Sequence, residues 1–216
     1  MLSKEIEDQI RASGIIAVIA IEDAADAVPM AKALQKGGIT AIELTLRTPA
    51  ALDSIRAISK EVPEILLGAG TILTTEQVDA AKEAGASFGV APGLNSRIIE
   101  YADKVGLPFA PGVMTPSDIE RALELGCKTM KFFPSESVGG MKTLSTMAAP
   151  YKHLGISFIP LGGLNEGNMA SYLTSPLVSA IGGSWLAKTD KIAAKDWDGI
   201  EAAAAKAVAI AKEAKA

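Results

Sequence analysis

The sequence predicts an α/β fold, a (β/α)8 TIM barrel with an additional N-terminal helix, in one domain spanning residues 1–216. Two observations lead there. Short β-rich runs alternate with Ala-, Lys- and Glu-rich helical stretches along the whole chain, with no linker or low-complexity break, which is how repeated βα units on a parallel sheet read. The strand-like runs number about eight, the count that closes a barrel, and the chain is near the lower end, about 200 residues, for that architecture.

The chain opens on Met1-Leu2-Ser3-Lys4-Glu5-Ile6-Glu7-Asp8, and residues 1–12 read as the extra helix, able to cover the bottom of the barrel. Strands are expected at 15–20, 41–45, 65–71, 88–91, 109–111, 128–133, 158–160 and 178–181, with a helix after each. Thr74-Thr75-Glu76-Gln77 and Thr115-Pro116-Ser117-Asp118 carry capping chemistry: each sets a hydroxyl acceptor and an acidic residue where the first amides of a helix lack partners. Gly37-Gly38, Gly85, Gly106 and Gly126 follow helical runs, where a left-handed residue ends the helix and feeds the next strand. The Ala-rich segment 196–216 reads as the last outer helix.

Composition narrows the function. Hydrophobic residues make up 49% and charged residues 21%, material for a core rather than for a disordered chain. No apolar stretch reaches the ~18–20 residues that cross a bilayer, and the charged start is not a signal peptide, so a cytoplasmic enzyme with no membrane partner is expected. A net charge of -4 with scattered Lys and Arg leaves no basic face to neutralise phosphates, so nucleic acid is not expected as a partner. One cysteine, Cys127, allows no internal disulfide, and one histidine, His153, rules out a metal site built from several His or Cys ligands. Cys127 reads as a small core residue, His153 as a loop residue after Pro150, and Trp185 as a packing anchor.

Candidate chemistry comes from strand parity. In Cys127-Lys128-Thr129-Met130-Lys131-Phe132-Phe133, residues Thr129, Lys131 and Phe133 share one face, and Met130 and Phe132 suit the helix-facing side. Lys131 is thereby placed inside the barrel near its carboxyl end. The same parity in Ala41-Ile42-Glu43-Leu44-Thr45 turns Glu43 and Thr45 inward, so Glu43 and Lys131 can face each other, either as a structural ion pair or as catalytic groups. Arg47 ends that strand with a fork able to hold a carboxylate, though alone it also reads as a surface arginine. Gly68-Ala69-Gly70-Thr71 leaves room for a ligand to approach the backbone, with the Thr71 hydroxyl as donor, or is mere packing. Gly162-Gly163 and Gly182-Gly183-Ser184 fall in the last two strand-end loops, where barrels bind phosphate through backbone amides.

Taken together, these residues resemble the 2-keto-3-deoxy-6-phosphogluconate (KDPG) and 4-hydroxy-2-oxoglutarate (KHG) aldolase family, class I aldolases. The resemblance covers nearly the whole chain and rests on Glu43-Leu44-Thr45-Leu46-Arg47-Thr48, Gly68-Ala69-Gly70-Thr71, Pro92-Gly93, Pro111-Gly112, Lys131-Phe132-Phe133-Pro134, Gly139-Gly140, Gly162-Gly163 and Gly182-Gly183-Ser184-Trp185. It implies that Lys131 forms a Schiff base, that Glu43 is general acid and base, and that Arg47 and Thr71 bind the pyruvate carboxylate. It further implies that Pro92 and Phe133 wall the reacting carbons, and that Gly162, Gly163, Gly182, Gly183 and Ser184 bind a distal phosphate. The implied assembly is a homotrimer, and the implied chemistry needs no metal and no organic cofactor. One departure stands out: Leu161 occupies a position where many relatives carry threonine. A second, lesser one is Ala91, where relatives often carry serine. The same residues also serve the KHG or 2-keto-3-deoxy-6-phosphogalactonate substrates, an isomerase with Glu43 as base, or a non-catalytic phosphometabolite-binding barrel.

Overall fold

The computed structural model describes residues 1–215. Strands β1 (Ile15–Ile19), β2 (Ala41–Thr45), β3 (Leu66–Gly70), β4 (Phe88–Val90), β5 (Phe109–Ala110) and β9 (Ile181–Gly183) form a six-stranded sheet in the order β5-β4-β3-β2-β1-β9. Strands β6 (Gly112–Val113), β7 (Thr129–Phe132) and β8 (Ser157–Pro160) form a second, three-stranded sheet. All strand pairings are parallel; apart from β5 and β6, which Pro111 alone joins, successive strands are linked through helices α2 (Ala27–Lys36), α3 (Ala51–Glu61), α4 (Thr75–Glu83), α5 (Ser96–Val105), α6 (Pro116–Glu124), α7 (Gly140–Ala148) and α8 (Met169–Leu173), and α9 (Thr189–Ala193) and α10 (Trp197–Lys215) follow the last strand. The result is a curled parallel α/β sheet clothed by helices.

Two of the expected strands differ, each for a backbone reason. The run at 109–111 continues past Pro111 to Val113 but divides into β5 and β6, because proline has no N–H to give to a ladder. Its carbonyl still serves, accepting from the Lys131 N–H at 2.8 Å. The run expected at 178–181 forms its strand later, at Ile181–Gly183, because the chain changes partner within it. Val178 bridges to Phe158 and the Ser179 N–H donates to the Phe158 carbonyl at 3.0 Å, whereas the Ile181 N–H donates to the Gly14 carbonyl beside β1. The other runs fall within a residue or so of expectation, and Thr71 leaves its strand with φ +61°.

Helix ends follow the side-chain chemistry. Capping boxes form at Thr74 with Gln77 and at Thr115 with Asp118. Gly38, Gly85, Gly106 and Gly126 have positive φ. Gly37 does not: its φ is -73°, and its missing side chain instead lets α10 press close, since a methyl there would collide with Ala204.

Parity sorts the core into two layers. Ile42, Leu44, Met130 and Phe132 pack outward among the helices, while Ile16, Leu66, Phe88, Val90, Ile159 and Leu161 fill the interior between strands. The N-terminal helix α1 (Lys4–Ser13), capped by Ser3, closes the interior from below with fully buried Ile10 and with Ile6 and Leu2. Its Glu7 accepts a hydrogen bond from Thr129 Oγ1 at 2.8 Å, and Thr129 is bonded to Ser157 at 3.0 Å, a buried polar seam beneath the strands. Cys127 is buried, and His153 is exposed on a 3-10 turn (Ala149–Leu154) rather than in an irregular loop.

Candidate active site

The carboxyl ends of the strands surround a cavity of about 190 Å³ lined by Glu43, Arg47, Thr71, Pro92, Lys131, Phe133, Gly162, Gly163, Gly182, Gly183 and Ser184. Every site residue expected from the sequence is therefore on one wall or another, together with Val18, Thr45, Leu161 and Leu164.

At its base Lys131, from β7, reaches across the interior to Glu43, from β2, in the other sheet. The ammonium Nζ lies 3.0 Å from Oε1 and 3.3 Å from Oε2, and the two residues are only 6% and 2% exposed. Such a pair is costly to bury and is no stability device in itself. It stands where a (β/α) sheet otherwise packs branched apolar side chains, and both members line the cavity. The Phe133 ring flanks it, with its centroid 5.6 Å from Nζ.

Glu43 holds its position by sterics as well as charge. Glycine at 70 is required because a methyl there would overlap the Glu43 carboxylate, and glycine at 68 because Phe88 fills that space. The small residues of β3 thus make room for protein side chains, not for a ligand approaching the strand. Thr71, at the end of β3, keeps a positive φ that a β-branched residue rarely adopts, a local strain at the cavity wall.

Thr45 lines the cavity too, a residue that parity had turned inward without giving it a task. Its buried Oγ1 donates to the Ile19 carbonyl at 2.9 Å and accepts from Arg47 Nε at 3.0 Å. The exposed guanidinium is thereby steadied at the cavity, and among the described residues its terminal nitrogens have no partner, which leaves them able to meet a planar anion.

Opposite Arg47 lie the two glycine loops. Gly162 and Gly163 both have positive φ, at 93° and 85°. Gly182 admits Leu161 and Gly183 admits the Trp185 ring, each of which would collide with a side chain there. Leu161 is buried, and with Val18 it gives the middle of the cavity an apolar wall. Trp185 packs as expected, with its indole N–H buried and unpartnered among the described residues. Among those residues no cluster of three His, Cys, Asp or Glu could hold a metal ion, and no helix is long and apolar enough to cross a membrane.

Comparison with known proteins agrees with this geometry. Residues 6–203 match the family model described as KDPG and KHG aldolase. The KHG/KDPG aldolase of Escherichia coli strain K12 is 43% identical over 198 residues, 92% of each chain. The 2-keto-3-deoxy-6-phosphogluconate aldolase of Zymomonas mobilis ZM4, solved with 3-phosphoglycerate, superposes with a TM-score of 0.87 at 38% identity, covering 96% of both chains. The KDPG aldolase of Legionella pneumophila, with pyruvate captured at low pH as a covalent carbinolamine intermediate, gives a TM-score of 0.88 at 34% identity over 93% of this chain and 96% of its own. A buried lysine–carboxylate pair in a cavity with a rim arginine, on a chain matched along almost its entire length, leaves one assignment: the chain belongs to the KDPG and KHG aldolase family.

Proposed function

We propose that this protein is a class I aldolase that cleaves KDPG into pyruvate and glyceraldehyde 3-phosphate. The Lys131–Glu43 contact carries the reading, because it pairs a nucleophile with a proton acceptor 3.0 Å away in a site shielded from bulk water. Lysine must lose a proton before it attacks a ketone, and Glu43 is the acceptor within reach. The amine nitrogen adds to the ketone carbon and passes a proton to the ketone oxygen; Glu43 then returns its own proton to the resulting hydroxyl, which leaves as water and gives an iminium with Glu43 again a carboxylate. Glu43, directly or through a water, then takes the proton of the hydroxyl carried by the far carbon of the bond that breaks. That electron pair closes the aldehyde carbonyl, the carbon–carbon bond electrons flow to the iminium, and an enamine remains on Lys131. Protonation of the enamine carbon by Glu43 and hydrolysis of the resulting iminium free pyruvate and restore the amine. No metal or organic cofactor enters these steps.

Arg47, steadied by Thr45, and Thr71 hold the carboxylate of the pyruvate half. Pro92 and Phe133 confine the reacting carbons, and Gly162, Gly163, Gly182, Gly183 and Ser184 hold the distal phosphate. The relatives that bind pyruvate and 3-phosphoglycerate support these two halves of the site. In this reading the two sheets form one (β/α)8 barrel and a single domain, supported by the hydrogen bonds that cross Pro111 and by the Val178–Phe158 bridge. The working enzyme is a cytoplasmic homotrimer, as the family resemblance implies.

Incubation with pyruvate and sodium borohydride, followed by peptide mapping, tests the mechanism. A stable pyruvate adduct on Lys131 is expected. An unmodified Lys131 in folded protein would overturn the aldolase reading in favour of non-covalent use of the site. A second reading, the same chemistry on KHG, is favoured by Leu161, whose apolar side chain offers no hydrogen bond to a hydroxylated sugar chain. The ratio of kcat/KM for the two substrates decides between them.

A further inference from the structure

Three successive carbonyls at the end of β8 are turned out of the cavity. The Leu161 carbonyl accepts from the Ser135 N–H at 2.7 Å and the Gly162 carbonyl from the Glu136 N–H at 3.0 Å. The Gly163 carbonyl has no backbone donor; it accepts instead from two side-chain amides, Asn165 Nδ2 at 3.3 Å and Asn168 Nδ2 at 3.2 Å. In a trans peptide each carbonyl points opposite to the N–H of the next residue. Holding these carbonyls away therefore turns the N–H groups of Gly162, Gly163 and Leu164 toward the cavity they line, and none of the three donates to another protein group among the described residues. Consecutive free N–H groups through left-handed residues make an anion-binding concavity.

We infer that Asn165 and Asn168 are positioning residues for the phosphate of the substrate: they fix the Gly163–Leu164 peptide in the orientation that presents its N–H to the anion. Neither asparagine touches the cavity, so each acts through the peptide. Both are held in place by their other ends. Asn168 Oδ1 accepts from the Asn165 N–H and Asn165 Oδ1 accepts from the Gly167 N–H, each at 2.8 Å. This wiring is needed because the adjoining glycines, with φ of 93° and 85°, have the freedom to flip the peptide and aim a carbonyl at the phosphate instead. The first two peptides are clamped by backbone that folding must form anyway, whereas the third depends on side chains, which makes it the point at which phosphate affinity is set. The acidic neighbour Glu136 is kept to the outer side, its carboxylate taken by the Tyr172 hydroxyl.

The inference rests on the proposed phosphate end of the site, and a binding measurement separates it from the aldolase reading. Inorganic phosphate is titrated calorimetrically into wild-type protein, Asn168→Ala and Asn165→Ala/Asn168→Ala, with thermal melts confirming folding. Loss of the pair is expected to weaken phosphate binding about tenfold, the equivalent of one charge-assisted hydrogen bond of ~1.4 kcal/mol. The variants should also raise KM for KDPG while leaving KHG cleavage and pyruvate trapping on Lys131 within about twofold, a split that general loosening of the fold would not give. Asn168→Asp, which keeps the shape and the acceptor but loses the donor, should behave as Asn168→Ala. Unchanged phosphate affinity in folded variants, absence of phosphate binding in the wild type, or an equal fall on both substrates overturns the assignment. Failure of pyruvate to trap in the wild type bears on the aldolase reading alone, since phosphate binding is measured without turnover.

Discussion

The Glu43 carboxylate rests against the Cα of Gly70, close enough that a single methyl at position 70 would take its place. The backbone of β3 thus acts as a stop that holds the acid against Lys131. Gly70→Ala is expected to keep the fold, since position 70 lacks a positive φ, but to swing Glu43 away and lower kcat by about 10²-fold, the scale of a displaced general base. Single-turnover kinetics with KDPG check this, with circular dichroism as the control for folding.

Removing one member of the buried pair strands the other. Lys131→Ala is expected to abolish pyruvate trapping and to destabilise the protein by about 3–5 kcal/mol, because Glu43 is left as an uncompensated buried charge. Lys131→Met combined with Glu43→Gln should recover most of that stability without recovering activity. Urea denaturation of wild type, Lys131→Ala and the double variant reads this, and a double variant no more stable than Lys131→Ala would sink this account of the pair.

Thr45→Val deletes the hydroxyl that steers Arg47 and also leaves the Ile19 carbonyl without its donor. KM for either substrate should rise about fivefold to tenfold through loss of one hydrogen bond of ~1 kcal/mol at the carboxylate. The guanidinium itself remains, so Arg47→Ala should cost more than Thr45→Val in the same assay.

Leu161→Thr places a hydroxyl in the apolar middle of the cavity. If the hydroxylated KDPG chain passes there, its kcat/KM should gain relative to KHG by up to about tenfold, the size of one new polar contact. A ratio that does not move would show that Leu161 packs against Gly182 without meeting substrate.

Tyr172 carries a pH prediction. Burial, reinforced by the hydrogen bond to Glu136, pushes its phenol up to about 12 from the ordinary 10.0. The folded state thus retains a proton that the unfolded state loses, so the stability from this group is complete below pH 10 and declines as pH rises through 12. Denaturation midpoints between pH 9 and 12 should fall more steeply for the wild type than for Tyr172→Phe.

The sequence was most legible where function and parity coincide. Lys131 and Glu43 alternate with Met130, Phe132, Ile42 and Leu44, whose apolar side chains claim the opposite face of each strand, so an inward charge stands out from a single chain. The division at Pro111 had a signal in proline's missing N–H, whereas the late start of β9 had none, because Val178 and Ile181 bond to different strands and only the closed-up sheet decides which. Thr45, Asn165 and Asn168 were invisible for a related reason. Their work is to orient other groups, and the acceptors they use, Ile19 and Gly163, become meaningful only once the strands and loops are assembled.

The floor beneath Lys131 is stoppered by α1, with Ile10 fully buried and Glu7 bolted to the Thr129 hydroxyl. The Lys131 side chain, 6% exposed, meets open space in the cavity at the carboxyl ends of the strands. For the proposed reaction, the distal half of the substrate shares that cavity of about 190 Å³ with any water bound for the intermediate, so departure of the aldehyde makes room for the water that hydrolyses it. A plain N-terminal helix that lines no part of this cavity in this way supplies the floor on which the reacting pair stands.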